Sequence, residues 1–114
     1  MRDNRNQKRR NSPHPVNVLA AADNRVLGRL VNITLGGLMY LGAEPPSKGT
    51  RLELSIPLPT MVNGKTSIEV TGNVSWSKAD ENPKFQRVGV EFENLGAEEG
   101  YIIETVLQRL HLVG

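Results

Sequence analysis

Between Val16 and Phe92 the chain is written in short stretches of alternating apolar and polar residues, cut at close intervals by Gly, Pro and Asn. Side chains on a β-strand point to opposite faces with a period of two, so this alternation describes half-buried strands. The clearest case is Arg51 to Leu58, where Leu52, Leu54, Ile56 and Leu58 share one face and Glu53 and Ser55 the other. Pro57 and Pro59 cannot donate to a ladder, which predicts that the far end of this strand is an edge or leaves the sheet. Asn63-Gly64, lying between two strand-like runs, predicts a tight hairpin. Ser67 to Trp76 alternates again, with Ile68, Val70, Val74 and Trp76 expected in the core and Gly72 as the place for a bulge. Val88, Val90 and Phe92 form the inward face of a last strand. Upstream, Val16 and Val18 open a first strand before the Asp23-Asn24 turn. Leu27 to Ile33 makes a second, with Leu27, Arg29, Val31 and Ile33 on one face. Gly36-Gly37 breaks it, and Leu38 to Leu41 makes a short third.

The period changes after Asn94. Ile102, Val106 and Leu110 recur every four residues, flanked by Ile103 and Leu107, which is the apolar stripe of a helix packed on a core. Glu98 and Glu99 fall in its first turn, and Arg109 and His111 in its last, as the helix dipole favours. Six or so short strands and one closing helix predict an all-β fold, a small antiparallel barrel or sandwich with a C-terminal α-helix. Residues 1–15 are polar, end in Pro13 and Pro15, and read as an extended, flexible arm; residues 16–114 form the β domain with its helix.

Charge divides along the same line. The first ten residues hold five basic side chains, Arg2, Arg5, Lys8, Arg9 and Arg10, against Asp3 alone. The rest of the chain carries nine basic and eleven acidic residues, a mildly acidic body behind a basic arm. One short cationic arm suits a small polyanion better than a duplex, which needs positive charge spread over a face. Aromatics make up 4% of residues, too few to floor a single-strand groove, so no DNA or RNA partner is expected.

Enzyme chemistry finds no support. No nucleophile, base and orienting acid occur at a supporting spacing, and no glycine loop of the phosphate-cradling type is present. Cysteine is absent, and His14 and His111 stand apart from paired acids, so neither a disulfide nor a metal centre is expected. No cofactor, secretory signal or membrane insertion is expected, and a cytoplasmic location follows as an expectation.

Two segments carry what recognition chemistry there is: the arm from Arg5 to His14, and Asn32-Ile33-Thr34-Leu35-Gly36-Gly37 at the end of the second strand. Taken together they resemble the PilZ family. That family has an R-x-x-x-R motif before its first strand and a [D/N]-x-S-x-x-G motif after the next. Asn32-x-Thr34-x-x-Gly37 matches the second, with threonine in the serine place. Gly72-Asn73-Val74-Ser75-Trp76 and Val88-Gly89-Val90-Glu91-Phe92 resemble the family's later strands, so the likeness extends over roughly residues 8–95. In the arm, Arg9-Arg10 resembles the doubled arginine that opens the first motif, but Pro13 and His14 stand four residues on. Arg5 and Arg9 make a shifted R-x-x-x-R. Either that pair is used, or Arg10 acts with His14.

The resemblance implies that residues 16–114 form a small six-stranded antiparallel β-barrel with a C-terminal α-helix. It also implies binding of cyclic di-GMP, a bacterial second messenger, and transmission of its level to a protein partner that the sequence does not identify. It also leaves a second class, an adaptor of the same fold that binds no nucleotide and works by protein contacts. In the binding case Arg5, Arg9, Arg10 and His14 supply a clamp. Arginine's planar fork grips guanine O6/N7 or a phosphate, or stacks on a base. Asn32 and Thr34 read a guanine edge. Gly36 and Gly37 shape the floor by allowing close approach or a positive φ.

Overall fold

The structure, a computed structural model, describes residues 15–110. Arg5, Arg9, Arg10, His14 and His111 lie outside the described residues, as does nearly all of the expected arm. Six strands follow in chain order: β1 (Asn17–Ala20), β2 (Val26–Ile33), β3 (Gly37–Gly42), β4 (Arg51–Val62), β5 (Lys65–Ala79) and β6 (Gln86–Phe92). They close into an antiparallel barrel in the order β1-β2-β3-β6-β5-β4, with β1 sealing the cylinder against β4 through Leu19↔Ser55 and Ala20↔Leu54. The expected all-β barrel with a C-terminal helix is the observed one.

The alternating strands fill the barrel as their pattern predicts. Leu54 and Ile56 of β4, Ile68, Val70 and Val74 of β5, and Val88 and Val90 of β6 are all buried, joined by Leu38 and Tyr40 of β3. Tyr40 is the largest buried side chain, and burial pushes its phenol pKa up. The β4–β5 hairpin turns at Asn63 and Gly64, both with positive φ (51° and 79°), the conformation its sequence demands. Pairing between β4 and β5 runs without interruption to Pro57↔Ser67 and resumes only at Val62↔Lys65. The two prolines thus mark where the ladder opens.

Two expectations about strand phase need correction, and both corrections have one cause. In β2 the register runs Leu30↔Tyr40 and then Asn32↔Met39, so Val31 is an extra residue without a partner on β3. A bulge of this kind advances the side-chain phase by one position. The core therefore takes Leu30 and Ile33, while Arg29 and Val31 are only half-buried. In β5 the register runs Val74↔Val90 and then Trp76↔Gly89, skipping Ser75. The bulge falls there, not at Gly72. Trp76 is turned out of the core, with 42% of its surface exposed.

The closing helix is also shorter than its stripe. α1 spans Ala97–Thr105 and gives way at Val106 (φ −120°, ψ −62°) to a 3-10 turn over Leu107–Arg109. The tighter turn swings Leu107 inward, so Ile102, Ile103 and Leu107 are wholly buried while Val106 and Leu110 pack on the margin of the core. Glu98 and Glu99 hold the helix's first turn to the β4–β5 hairpin through Lys65, whose Nζ lies 3.2 Å from a carboxylate oxygen of each. No helix among the described residues is long and apolar enough to cross a membrane.

Candidate functional site

The strand-end segment singled out in the sequence folds into a tight turn from β2 to β3. Thr34 N–H donates to Gly37 O at 2.8 Å, and Gly36 N–H donates to Thr34 Oγ1 at 3.1 Å. Hydroxyl-to-backbone bonds of this sort are how Ser and Thr organise turns. One hydroxyl lone pair is thereby engaged. The hydroxyl proton is aimed at Gly37 O across 3.5 Å, a weak contact. The group keeps a donor and a second lone pair for a ligand.

Gly37 is required by the fold. It opens β3 opposite Glu91, and a Cβ on it would run into the carbonyl of Val90. Neither Gly36 nor Gly37 takes a positive φ, so of the two reasons expected for these glycines only close approach holds, and the approaching group at Gly37 is β6 itself. A Cβ on Gly36 would meet only the Thr34 hydroxyl, at an ordinary contact distance of 3.8 Å; the Gly36 carbonyl accepts from Phe92 N–H at 2.9 Å and so ties the turn to the end of β6.

Asn32, Thr34, Gly36 and Gly37 line a cleft of about 320 Å³ whose far wall is Ser75, Trp76, Gly89 and Glu91. The two bulges create it. That at Val31 leaves Asn32 exposed on the outer surface, and that at Ser75 delivers Trp76 to the same surface. Bulges recur beside binding sites because they re-aim single side chains without unmaking the sheet. The indole lies across the β6 backbone at Gly89, where a Cβ would strike Nε1 and Cε2 of the ring. Ser75 Oγ donates to Gly89 O at 3.2 Å and pins the bulge. A half-exposed indole packed over a glycine, in one cleft with the Asn32 amide and the Thr34 hydroxyl, has the chemistry to stack against a planar group.

A second cleft, of about 450 Å³, adjoins the first and shares Asn32 and Thr34 with it; Leu107, Gln108 and Leu110 form its other side. Gln108 Nε2 donates to Ile33 O at 3.2 Å, so the 3-10 turn is bonded to the carbonyl between the two polar residues of the motif. At the same end of β2, Leu30 N–H donates to Val16 O at 2.7 Å. The chain that continues from the arm therefore enters the barrel two residues before Asn32.

Four expected site residues, Asn32, Thr34, Gly36 and Gly37, are brought together. The other four, Arg5, Arg9, Arg10 and His14, are outside the described residues. Trp76 and Glu91 line the same cleft and were not among the expected residues. Period-two reading places Trp76 in the core, because no residue between Val74 and Trp76 announces a bulge. The only hint is Gly89, a gap between two core valines on what proves to be the facing strand.

A family model described as PilZ domain matches residues 3–110 of the chain. Among solved structures, the chain is similar to the Bacillus subtilis inhibitor of motility MotI/DgrA, with a TM-score of 0.61 at 21% identity. That superposition takes in 90% of this chain and 51% of the other, so the chain spans about half the length of the solved structure it matches. At this identity the likeness is one of fold. No curated protein sequence matches the chain.

Proposed function

The chain belongs to the PilZ domain family, and from that premise we propose that it is a regulatory domain that binds cyclic di-GMP and passes the occupancy of its site to a protein partner. The observation that carries this reading is the convergence of Asn32, Thr34 and Trp76 on one cleft, beside the point where the chain from the arm enters the barrel.

The mechanism follows from the chemistry of the parts. One guanine stacks on the Trp76 indole. Asn32 offers its amide oxygen to an N–H of the exocyclic amino group, and Thr34 its hydroxyl to the base or the ribose–phosphate ring. Arg5, Arg9 and Arg10 close over the outer side, gripping phosphates or stacking on the second base. His14 stands where the matching arginine motif places its second arginine, and adds a weaker donor. Ordering the arm costs conformational entropy that the cationic contacts must offset, so the closed arm exists as a surface only when nucleotide is bound. A partner that docks on this surface senses the nucleotide. The nucleotide-free adaptor is the alternative, favoured by the arm's lack of an arginine four residues after Arg9 or Arg10.

Isothermal titration with cyclic di-GMP at physiological salt, with GMP as control, separates the two. Saturable, nucleotide-specific heat at micromolar or tighter affinity supports the receptor. No heat up to high micromolar ligand refutes it and leaves the adaptor.

A further inference from the structure

We infer that Glu91 is a specificity residue, its carboxylate accepting the N1–H and N2–H of the guanine that stacks on Trp76. This rests on the cyclic di-GMP reading above and extends it to a residue outside the two sequence motifs.

Glu91 is the charged side chain lining the Trp76 cleft. It is exposed, so the fold does not need it as a buried partner. An acid is a costly neighbour for a ligand with two phosphates, since like charges repel across a partly enclosed cleft. A carboxylate is useful there only if the ligand presents hydrogen-bond donors to it. Guanine does so. Its Watson–Crick edge carries two adjacent N–H donors, which match the two oxygens of a carboxylate, an acceptor-only group when ionised. Adenine offers one donor beside an acceptor on that edge and would set its ring nitrogen against the charge.

The placement supports the pairing. Trp76 sits opposite Gly89, and Glu91 lies two residues farther along β6 on the same outward face. Two residues of strand span about 6.5 Å, the scale of a purine, so a base stacked over Gly89 can turn its edge to Glu91. Asn32 and Thr34 stand across the cleft and approach the same base from the β2 side.

The test is titration of the whole chain and its Glu91→Gln and Glu91→Ala variants with cyclic di-GMP and cyclic di-AMP, followed by Trp76 fluorescence and by calorimetry. Glu91→Ala is expected to weaken cyclic di-GMP binding at least about tenfold, the scale of hydrogen bonds to a charged acceptor. Glu91→Gln keeps an acceptor and gains a donor that complements adenine, so it should lose affinity for cyclic di-GMP and narrow the preference over cyclic di-AMP. If Glu91 merely repels phosphate, both variants bind both nucleotides more tightly; that result overturns the inference and leaves the receptor reading intact. Unchanged affinity and unchanged preference do the same. Failure of the parent chain to bind either nucleotide overturns the inference together with the reading beneath it.

Discussion

Replacing Trp76 with alanine tests the proposed site at its least expected residue. Stacking of a base on an aromatic side chain is worth about 1–3 kcal/mol by alanine substitution. That corresponds to a loss of about 5- to 150-fold in affinity for cyclic di-GMP. The same change also affects the fold. A tryptophan offers on the order of 250 Å², and with 42% of its surface exposed, more than half is covered, chiefly by β6 at Gly89. At about 25 cal/mol per Å² the ceiling on lost stability is roughly 3.6 kcal/mol, an upper bound because the unfolded chain also covers apolar surface. The barrel core itself is untouched, so the variant should fold with a lower melting temperature. Binding must then be measured by calorimetry well below that temperature, with circular dichroism confirming the strand signal. Trp76→Phe is the companion variant: it keeps a π-face and should recover most of the affinity. A folded Trp76→Ala protein that binds within twofold of a competent parent refutes the stacking platform.

Arg9→Ala and Arg10→Ala should each weaken cyclic di-GMP binding by about 1.5 kcal/mol or more, the scale of a charge-assisted hydrogen bond, and should flatten its salt dependence; two variants that titrate like the parent remove the clamp. Asn32→Ala should lower affinity while leaving the thermal midpoint within a few degrees, because the side chain is outside the core; an unchanged dissociation constant takes Asn32 out of the site. Gly37→Ala forces a methyl against the Val90 carbonyl and should destabilise the barrel by about 1–3 kcal/mol in urea titration; parent-like stability would show that β3 and β6 separate at little cost. Glu93 is held below the usual carboxylate range by Asn73 and Arg51, and Asp80 by Arg87 and the backbone N–H of Asn82. Groups with lowered native pKa add stability that is complete above the ordinary carboxylate range and is lost as pH falls through the lowered values. The urea midpoint should therefore decline on acidification below that range, and less so in Asn73→Ala; identical pH profiles would show that these surface contacts contribute nothing measurable.

The dependence of the barrel on local pattern explains why so much of it was legible. Leu54 and Ile56, Ile68, Val70 and Val74, and Val88 and Val90 announce their strands because a half-buried strand must alternate, and every one of them is in the core. Asn63-Gly64 announces its turn because its backbone requires positive φ. The Asn32 motif was legible as a polar turn at a strand end, since the Thr34 hydroxyl bonds the local backbone as Ser and Thr side chains do in turns. The arm's arginines are legible as charge, but lie beyond the described residues.

What the sequence by itself determined is the inventory: six alternating strands, one amphipathic closing helix, a basic arm and a polar strand-end motif, each set by interactions among neighbours a few residues apart. Only the tertiary structure decided where the alternation slips. A bulge arises when a strand must match a partner outside its own local pattern, as β5 must match β6 across Val74↔Val90 and Trp76↔Gly89. The slip at Val31 exposes Asn32, the slip at Ser75 exposes Trp76, and Gly89 leaves room for the indole. The cleft exists because two local irregularities, on β2 and on β5, fall on either side of β3 and β6 in one closed sheet. Such pairing between distant segments leaves no mark in either segment read alone.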